Sequence, residues 1–237
     1  VVLLSAEAGI GKSRMTQVFR EQTEDDAPMR LRFHCSPYHR NSALYPIITQ
    51  LQRAAGIEAD DAMVVKLDKI EALDADNAPL LASLLSVPLD GRYPATEMTS
   101  EQRRQQTLEA LQAHIASLAA THPLPVLFDD IHWIDPSTRE LLDSVIMAAA
   151  NLPIFLVVTF RPEFEAPWGS LAHVTDCRLR RLSHAQSTAI VENLTGGRRL
   201  PGALMQQIID KTDGVPLFVE ELTKTILESD LLEEEDG

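Results

Sequence analysis

Cysteine, long apolar runs and basic residues are all scarce in this chain of 237 residues. Its only cysteines, Cys35 and Cys177, are too few for a disulfide framework, which indicates a reducing compartment. No apolar run approaches the ~20 residues that a membrane-spanning helix needs. No signal-peptide pattern precedes the first apolar run either. We therefore expect a cytoplasmic protein without a membrane partner.

The charge balance is acidic. Lys and Arg number 21 and Asp and Glu number 35, which gives a formal net charge of −14. A general nucleic-acid groove needs clustered cations to neutralise phosphates, so we do not expect nucleic acid as a partner. Hydrophobic residues make up 45% of the chain, as in ordinary globular proteins, and the length allows one core with a smaller subdomain.

The first part of the chain carries the clearest pattern. An apolar run over residues 1–5 is followed by a turn with two glycines and by an amphipathic run from Arg14 to about Thr23. This order predicts the strand, loop and helix of a phosphate-binding P-loop. The residues expected to surround the phosphates are Ala8, Gly9, Ile10, Gly11, Lys12, Ser13 and Arg14.

Each residue type in this turn has a chemical reason. Gly9 and Gly11 permit a positive φ, so that backbone N–H groups converge on a phosphate. Lys12 is expected to reach the β- and γ-phosphates, and the Ser13 hydroxyl to bind Mg²⁺. The pattern G-x-x-x-x-G-K-[ST] has glycine where this chain has Ala6. Since alanine tolerates positive φ poorly, at about 1 kcal/mol, we expect a strained or re-formed turn. The alternative is an ordinary turn with a solvated Lys12.

A second apolar run, residues 124–130, ends in two carboxylates. The carboxyl ends of parallel strands share one crevice, so Asp129 and Asp130 are expected to face the P-loop. Neighbours on a strand point to opposite faces, and only one of the two should therefore hold the metal directly. We assign Mg²⁺ binding to Asp129 and the orientation of the attacking water to Asp130. The alternative is a simple strand-to-loop turn.

A third apolar run, residues 154–160, is closed by Arg161 and Pro162. A guanidinium at this point can bridge γ-phosphate oxygens, which makes Arg161 a candidate catalytic residue, with Thr159 as a second γ-phosphate contact. An ion pair between Arg161 and Glu163 is the competing interpretation.

Histidines and a cysteine invite a metal interpretation that the spacing does not favour. His34, Cys35, His39 and His132 match no strong zinc pattern. Tyr38, His39 and His132 can instead line the nucleotide pocket, and the sequence does not rank them.

The remaining patterns divide the chain. Thr99 is expected to cap a long helix with Gln102 in the capping-box position, and Asp135 to cap another that starts at Pro136.

From Ser183 onward the pattern is entirely helical. We therefore predict an α/β core over 1–182 and a helical lid with an acidic tail over 183–237. We also expect a fragment of a longer protein, because the chain opens inside a strand. Further predictions are strands at 29–35 and 174–179, helices at 44–55, 184–195, 201–211 and 216–229, two short helices within 60–87, and a loop at 88–99.

Five ordered motifs together resemble the AAA-type signal-transduction ATPase (STAND) module. The resemblance is greatest to the version that follows class III adenylate/guanylate cyclase domains in bacterial proteins, and it extends to large transcriptional activators. The motifs are AEAGIGKS (6–13), RFHCSPYHRNSALYP (32–46), LFDDIHWIDPST (127–138), VVTFRPEF (157–164) and TDGVPLFVEEL (212–222).

The resemblance implies a three-layer P-loop NTPase fold with strand order 5-1-4-3-2 and a switch in which ADP holds a closed form and ATP opens it toward self-association. It also implies Lys12 and Ser13 as Walker A residues, Asp129 and Asp130 as Walker B residues, Arg161 as the sensor arginine and Pro216 as a lid residue near adenine. The expected function is a slow, regulatory ATPase that uses ATP/ADP and Mg²⁺ and controls an attached cyclase or other output domain. The alternatives are a DNA-associated ATPase and a nucleotide-binding scaffold with weak catalysis.

Overall fold

The centre of the fold is a sheet of five parallel strands. The computed structural model describes residues 1–23, 29–89, 91–93, 98–196 and 200–228. The strands run in the spatial order β2-β3-β4-β1-β5, and every neighbouring pair is parallel. This is the predicted order 5-1-4-3-2, which is confirmed. The strands are β1 (Val2–Ser5), β2 (Leu31–His34), β3 (Leu124–Asp129), β4 (Ile154–Phe160) and β5 (Thr175–Arg178).

Helices lie on both faces of the sheet. After the last strand of the sheet, the described part of the chain is mainly helical. Most of their bounds agree with the sequence periodicity to within one or two residues. The helices are α1 (Lys12–Gln22), α2 (Tyr45–Ala54), α3 (Met63–Leu73), α4 (Ala78–Leu84), α5 (Ser100–Thr121), α6 (Pro136–Ala148), α7 (His184–Leu194), α8 (Gly202–Thr212) and α9 (Pro216–Glu228).

The three strands β1, β3 and β4 are apolar because both of their faces are largely covered. Alternate side chains of β3, such as Phe128, enter the large core beneath α2, α5 and α6, where burial of each large apolar side chain stabilises the fold by ~1.5–3 kcal/mol. The opposite face carries α1, whose Phe19 ring contacts Phe155 of β4 at 5.4 Å between centroids. Within the described residues the result is a three-layer α/β architecture.

Two predicted helix starts are confirmed. The Thr99 hydroxyl accepts a hydrogen bond from the Gln102 backbone, and the Gln102 side chain completes the capping box that opens α5. Asp135 caps α6, and Pro136 occupies its first position. These caps set where the long helices begin beside the sheet.

The last three helices have a small core of their own, built around Val191, Ile208 and Val219. The capping box of Ser183 starts α7 at the predicted change from α/β to helical pattern. The acidic tail and parts of the predicted 88–99 loop lie outside the described residues. None of the helices in the described ranges is long and apolar enough to cross a membrane.

Candidate functional site

The P-loop joins β1 to α1 through a turn with two left-handed glycines. Gly9 and Gly11 have φ angles of 79° and 106°, as the sequence predicts. The first backbone hydrogen bond of α1 runs from the Met15 amide to the Gly11 carbonyl at 3.0 Å. The amides of the first helical turn therefore have no acceptor within the helix, and they lie at its positive end. This geometry suits a phosphate.

The expectation that Ala6 strains the turn is wrong. Ala6 does not adopt positive φ, so its Cβ causes no backbone penalty. Its amide donates to the Phe160 carbonyl of β4 at 3.3 Å, and its methyl group is fully buried beside Ile10 and Val215. The turn therefore needs no rearrangement, because the backbone at Ala6, where the motif has its first glycine, is not left-handed.

The strand order brings the predicted site residues to one edge of the sheet. β4 lies between β1 and β3, so the P-loop, Arg161 and the two aspartates follow adjacent strands. Lys12 Nζ lies 3.6 Å from Asp130 Oδ1 and forms an ion pair with it. The structure therefore places Lys12 next to Asp130, the second of the two adjacent aspartates.

The backbone of Asp130, the partner of Lys12, has an unusual conformation. β3 ends at Asp129, and Asp130 follows with φ 58° and ψ 45° in the left-handed region. The expectation that the two aspartates are neighbours within the strand is wrong, because β3 ends at Asp129 and the alternation of faces does not extend to Asp130. Left-handed backbone in a residue other than glycine is rare and concentrates at functional sites.

Asp129 is held by both neighbouring strands. Its Oδ1 accepts a hydrogen bond from the Thr159 hydroxyl at 2.7 Å, and its Oδ2 accepts one from Arg32 Nη2 at 3.2 Å. His34 Nδ1 lies 3.6 Å from the same Oδ2. Sequence reasoning missed Arg32 in this position. The available signal was the alternation of β2, which turns Arg32 and His34 to the same face.

Thr159 connects the two aspartates. Besides donating to Asp129, its hydroxyl accepts a hydrogen bond from the Asp130 amide at 2.9 Å. The residue is fully buried. Its hydroxyl is thus engaged in fixing the left-handed turn, and it is not directed at a phosphate.

Arg161 is exposed directly after β4. In the described part of the chain it has no ion pair with Glu163 or any other carboxylate, and its charge is close enough to act on His132. Burial lowers the pKa of His132, and Arg161 and Lys12 lower it further, against the opposing effect of Asp130. The imidazole is therefore neutral at pH 7.

His132 is the pocket candidate that the structure places beside the aspartates. Its side chain is 10% exposed, and Nδ1 lies 3.8 Å from Asp130 Oδ1. Neither ring nitrogen has a hydrogen-bond partner within the described ranges. By contrast, His39 stacks on Tyr45 with centroids 3.5 Å apart, and Tyr38 is 90% exposed.

Pro216 begins α9, and the next residue contacts the P-loop. The Leu217 amide donates to the Gly9 carbonyl at 3.2 Å. The start of the last helix therefore lies against the predicted phosphate site.

The residues present fit a magnesium nucleotide. Amide donors and Lys12 supply positive charge for phosphates, while Ser13, Asp129 and Asp130 supply the oxygen ligands that Mg²⁺ prefers. Across the described segments no group of three or more His, Cys, Asp or Glu side chains could hold a metal by itself. A magnesium ion at this site would therefore also need phosphate oxygens or water as ligands.

Comparison with known proteins gives a family and several relatives. Residues 1–158 match the family described as AAA ATPase domain. An uncharacterized protein of Rhizobium meliloti (strain 1021) is 29% identical over 235 residues, which cover 95% of this chain and 22% of that protein. The chain thus spans about a fifth of the length of this relative.

Two solved structures show weaker likeness. One is a STAND protein with a tetratricopeptide repeat sensor from Pyrococcus horikoshii, with 13% identity and a TM-score of 0.48 over 96% of this chain and 30% of that one. The other is Drosophila ORC bound to DNA, with 13% identity and a TM-score of 0.39 over 97% of this chain and 47% of that one. The family match covers about two thirds of the sequence and includes the P-loop and both aspartates. The chain belongs to the AAA ATPase domain family.

Proposed function

We propose that this chain is an ATP-binding module that hydrolyses ATP slowly and couples its nucleotide state to an attached output domain. The observation that carries the proposal is the ion pair of 3.6 Å between Lys12 and Asp130 at the P-loop. A lysine after β1 and a carboxylate after β3, next to the amides at the start of α1, are the groups that a magnesium triphosphate requires. The family match supports the same activity.

The proposed roles follow from the chemistry of each group. The amides of residues 8–14 hold the phosphates, and Lys12 neutralises charge on the β- and γ-phosphates. Ser13 and Asp129 bind Mg²⁺, which neutralises charge that develops on phosphate oxygens when it is bound. Asp129 takes this role through a water or after it releases Arg32. Asp130 orients the attacking water, and the Arg161 guanidinium stabilises the γ-phosphate oxygens.

The regulatory part of the proposal concerns the C-terminal helices. We propose that residues 1–182 are the ATPase core, that 183–237 are its lid, and that Pro216 borders the adenine. The separate core of α7–α9 supports this division. We assign all of the site residues to the nucleotide and none to a second substrate, which favours a switch over a metabolic enzyme. A cyclase or another output domain, and self-association that depends on nucleotide, are the proposed partners.

Two variants test the activity. Lys12→Ala should weaken Mg-ATP binding by roughly a hundredfold, because a charge-assisted phosphate contact of about 3 kcal/mol is lost. Lys224→Ala, on the exposed part of α9, is the matched control and should bind normally. Isothermal titration calorimetry measures both. Unchanged affinity in Lys12→Ala would count against the nucleotide site.

Turnover separates an ATPase from a binding scaffold. Asp130→Asn should retain ATP binding and lose phosphate release, because the amide is a poor acceptor for the proton of the attacking water. Wild-type protein that binds ATP without measurable phosphate release over hours would instead favour the scaffold.

A further inference from the structure

The turn between α8 and α9 lies directly on the P-loop. A Cβ atom built on Gly9 would be 3.0 Å from Val215 Cγ1 and 3.4 Å from Leu217 Cβ. The Leu217 amide also donates to the Gly9 carbonyl. Gly9 is therefore required for close approach as well as for its positive φ. This arrangement makes the P-loop a contact surface for residues 213–217.

Ala6 adds an apolar contact that glycine could not make. Its methyl group is fully buried in a cluster with Ile10 and Val215, and Leu179 packs against the same cluster. The residue that departs from the P-loop pattern thus faces the turn of the helical part.

A charged bridge joins the same two segments. Arg181 Nη2 lies 3.0 Å from Glu7 Oε2 in the P-loop, and its Nη1 pairs with Asp213 at the start of the turn. One residue further on, the Leu182 amide donates to the Gly214 carbonyl at 2.7 Å. The segment between β5 and α7 therefore holds the turn against the P-loop from the side.

We propose that Ala6, Glu7 and Arg181 are positioning residues that couple the P-loop to the helices α7–α9. This inference rests on the proposed nucleotide site. The backbone of residues 6–9 would adjust when phosphates bind, and the atoms that adjust are in contact with Val215 and Leu217. We take the observed arrangement, with the turn seated on the P-loop, as the binding form. A firmly seated turn then strengthens nucleotide binding, since coupling between two sites is mutual, and differences in affinity lie mostly in the release rate.

The first readout needs no nucleotide. Amide hydrogen exchange in residues 213–217, all of which except Pro216 carry an amide hydrogen, should accelerate about fourfold in Ala6→Gly, which is the change expected from the loss of one buried methyl group. It should accelerate about two- to fivefold in Arg181→Gln, which corresponds to a surface ion pair. Arg180→Gln is the matched control, because Arg180 is exposed and forms no ion pair in the described part of the chain. Its exchange should remain that of the wild type.

The second readout is the release rate of a fluorescent ADP analogue by stopped flow. Ala6→Gly and Arg181→Gln should release it faster by factors similar to those in exchange. The double variant Ala6→Gly with Val215→Ala should fall short of the product of the two single effects, because both remove the same contact. If Ala6→Gly acted only by making the P-loop flexible, the double variant would show the full product of the two single effects. That result would contradict the coupling.

Different results would contradict the proposed coupling and the proposed function. Unchanged exchange of residues 213–217 in both single variants would overturn the coupling, whatever the release rates. Wild-type protein that does not bind the ADP analogue would overturn the proposed function and, with it, any effect on release.

Discussion

The Asp135 carboxylate accepts a hydrogen bond at 3.2 Å from the backbone amide of Leu44, which lies 91 residues earlier in the chain. The same oxygen accepts from the amides of Ser137 and Thr138 at 3.1 and 3.0 Å. The second oxygen accepts from the Thr138 hydroxyl. One buried carboxylate thus fixes the start of α6 and the loop that precedes α2, including the left-handed backbone of Leu44.

Replacement of Asp135 by alanine should destabilise the protein by about 2–4 kcal/mol, because several buried donors lose their acceptor together. Urea unfolding followed by circular dichroism measures the change. Asp76→Ala is the control, since Asp76 is exposed, and it should stay within about 0.5 kcal/mol of the wild type. A similarly small effect for Asp135→Ala would show that the hydrogen bonds contribute little.

Gly214→Ala tests the close approach of the α8–α9 turn. The added Cβ would lie 2.3 Å from the Leu182 carbonyl oxygen, so the turn must move. Gly56→Ala is a control with nearly the same backbone, since the φ angles are 68° and 63°, but with open space around the Cβ. The control should lose about 1 kcal/mol from the positive φ alone, and Gly214→Ala at least about 2 kcal/mol more. Equal melting temperatures for the two variants would contradict this contact.

Thr159→Val should impair ATP turnover more than folding. Valine has the same shape, but it cannot donate to Asp129 or accept from the Asp130 amide, so both carboxylates lose their orientation. We expect turnover to fall roughly tenfold or more, as when residues that orient metal ligands are removed. Thr223→Val is the control, because this buried hydroxyl donates to the Val219 carbonyl of its own helix and has no other partner among the described residues. Phosphate-release assays at saturating ATP make the comparison, and equal turnover in the two variants would speak against the role of Thr159.

The two cysteines should react differently with iodoacetamide. Burial, and to a smaller extent the charges of Asp135, Asp129 and Asp130, raise the pKa of the Cys35 thiol from 9.0 to about 12. Cys35 therefore remains a buried, neutral thiol at pH 8.5, while Cys177 is partly accessible. Peptide mass spectrometry should find Cys177 alkylated in the folded protein and Cys35 alkylated only in urea.

The same shift predicts how stability depends on alkaline pH. Between pH 9 and about 12 the folded protein keeps the Cys35 proton and the unfolded chain loses it. This contribution to the free energy of unfolding is present below pH 9 and declines as the pH rises toward 12. In Cys35→Ala the part of the decline due to this thiol should disappear, and urea unfolding across this range measures it.

The sequence predicted the sheet and the P-loop well because their patterns are local. Apolar runs followed by Gly9, Gly11 and Lys12 fix strand, turn and helix within a few residues of one another. The strand order came from the resemblance to a family. The roles assigned to the site residues remain predictions, although Lys12 and Asp130 meet at the expected edge of the sheet.

The sequence could not predict contacts that depend on distant segments. The bond between Arg32 and Asp129 joins residues 97 positions apart. The alternation of β2 marks the face on which Arg32 lies, but it does not identify Asp129 as the partner. Alternation along a strand does not apply to Asp130, because the strand ends one residue earlier and the Thr159 hydroxyl holds the Asp130 amide in a left-handed turn. Ala6 was misjudged for a related reason, since its φ is set by pairing with β4 and not by the turn motif.

The place of β1 in the sheet has a consequence for biosynthesis. Val2 pairs with Val157 on one side and with Thr175 on the other, so both neighbours of the first strand come from the distal part of the polypeptide. During translation the first strand therefore leaves the ribosome long before it has a partner, and such non-local pairing forms slowly.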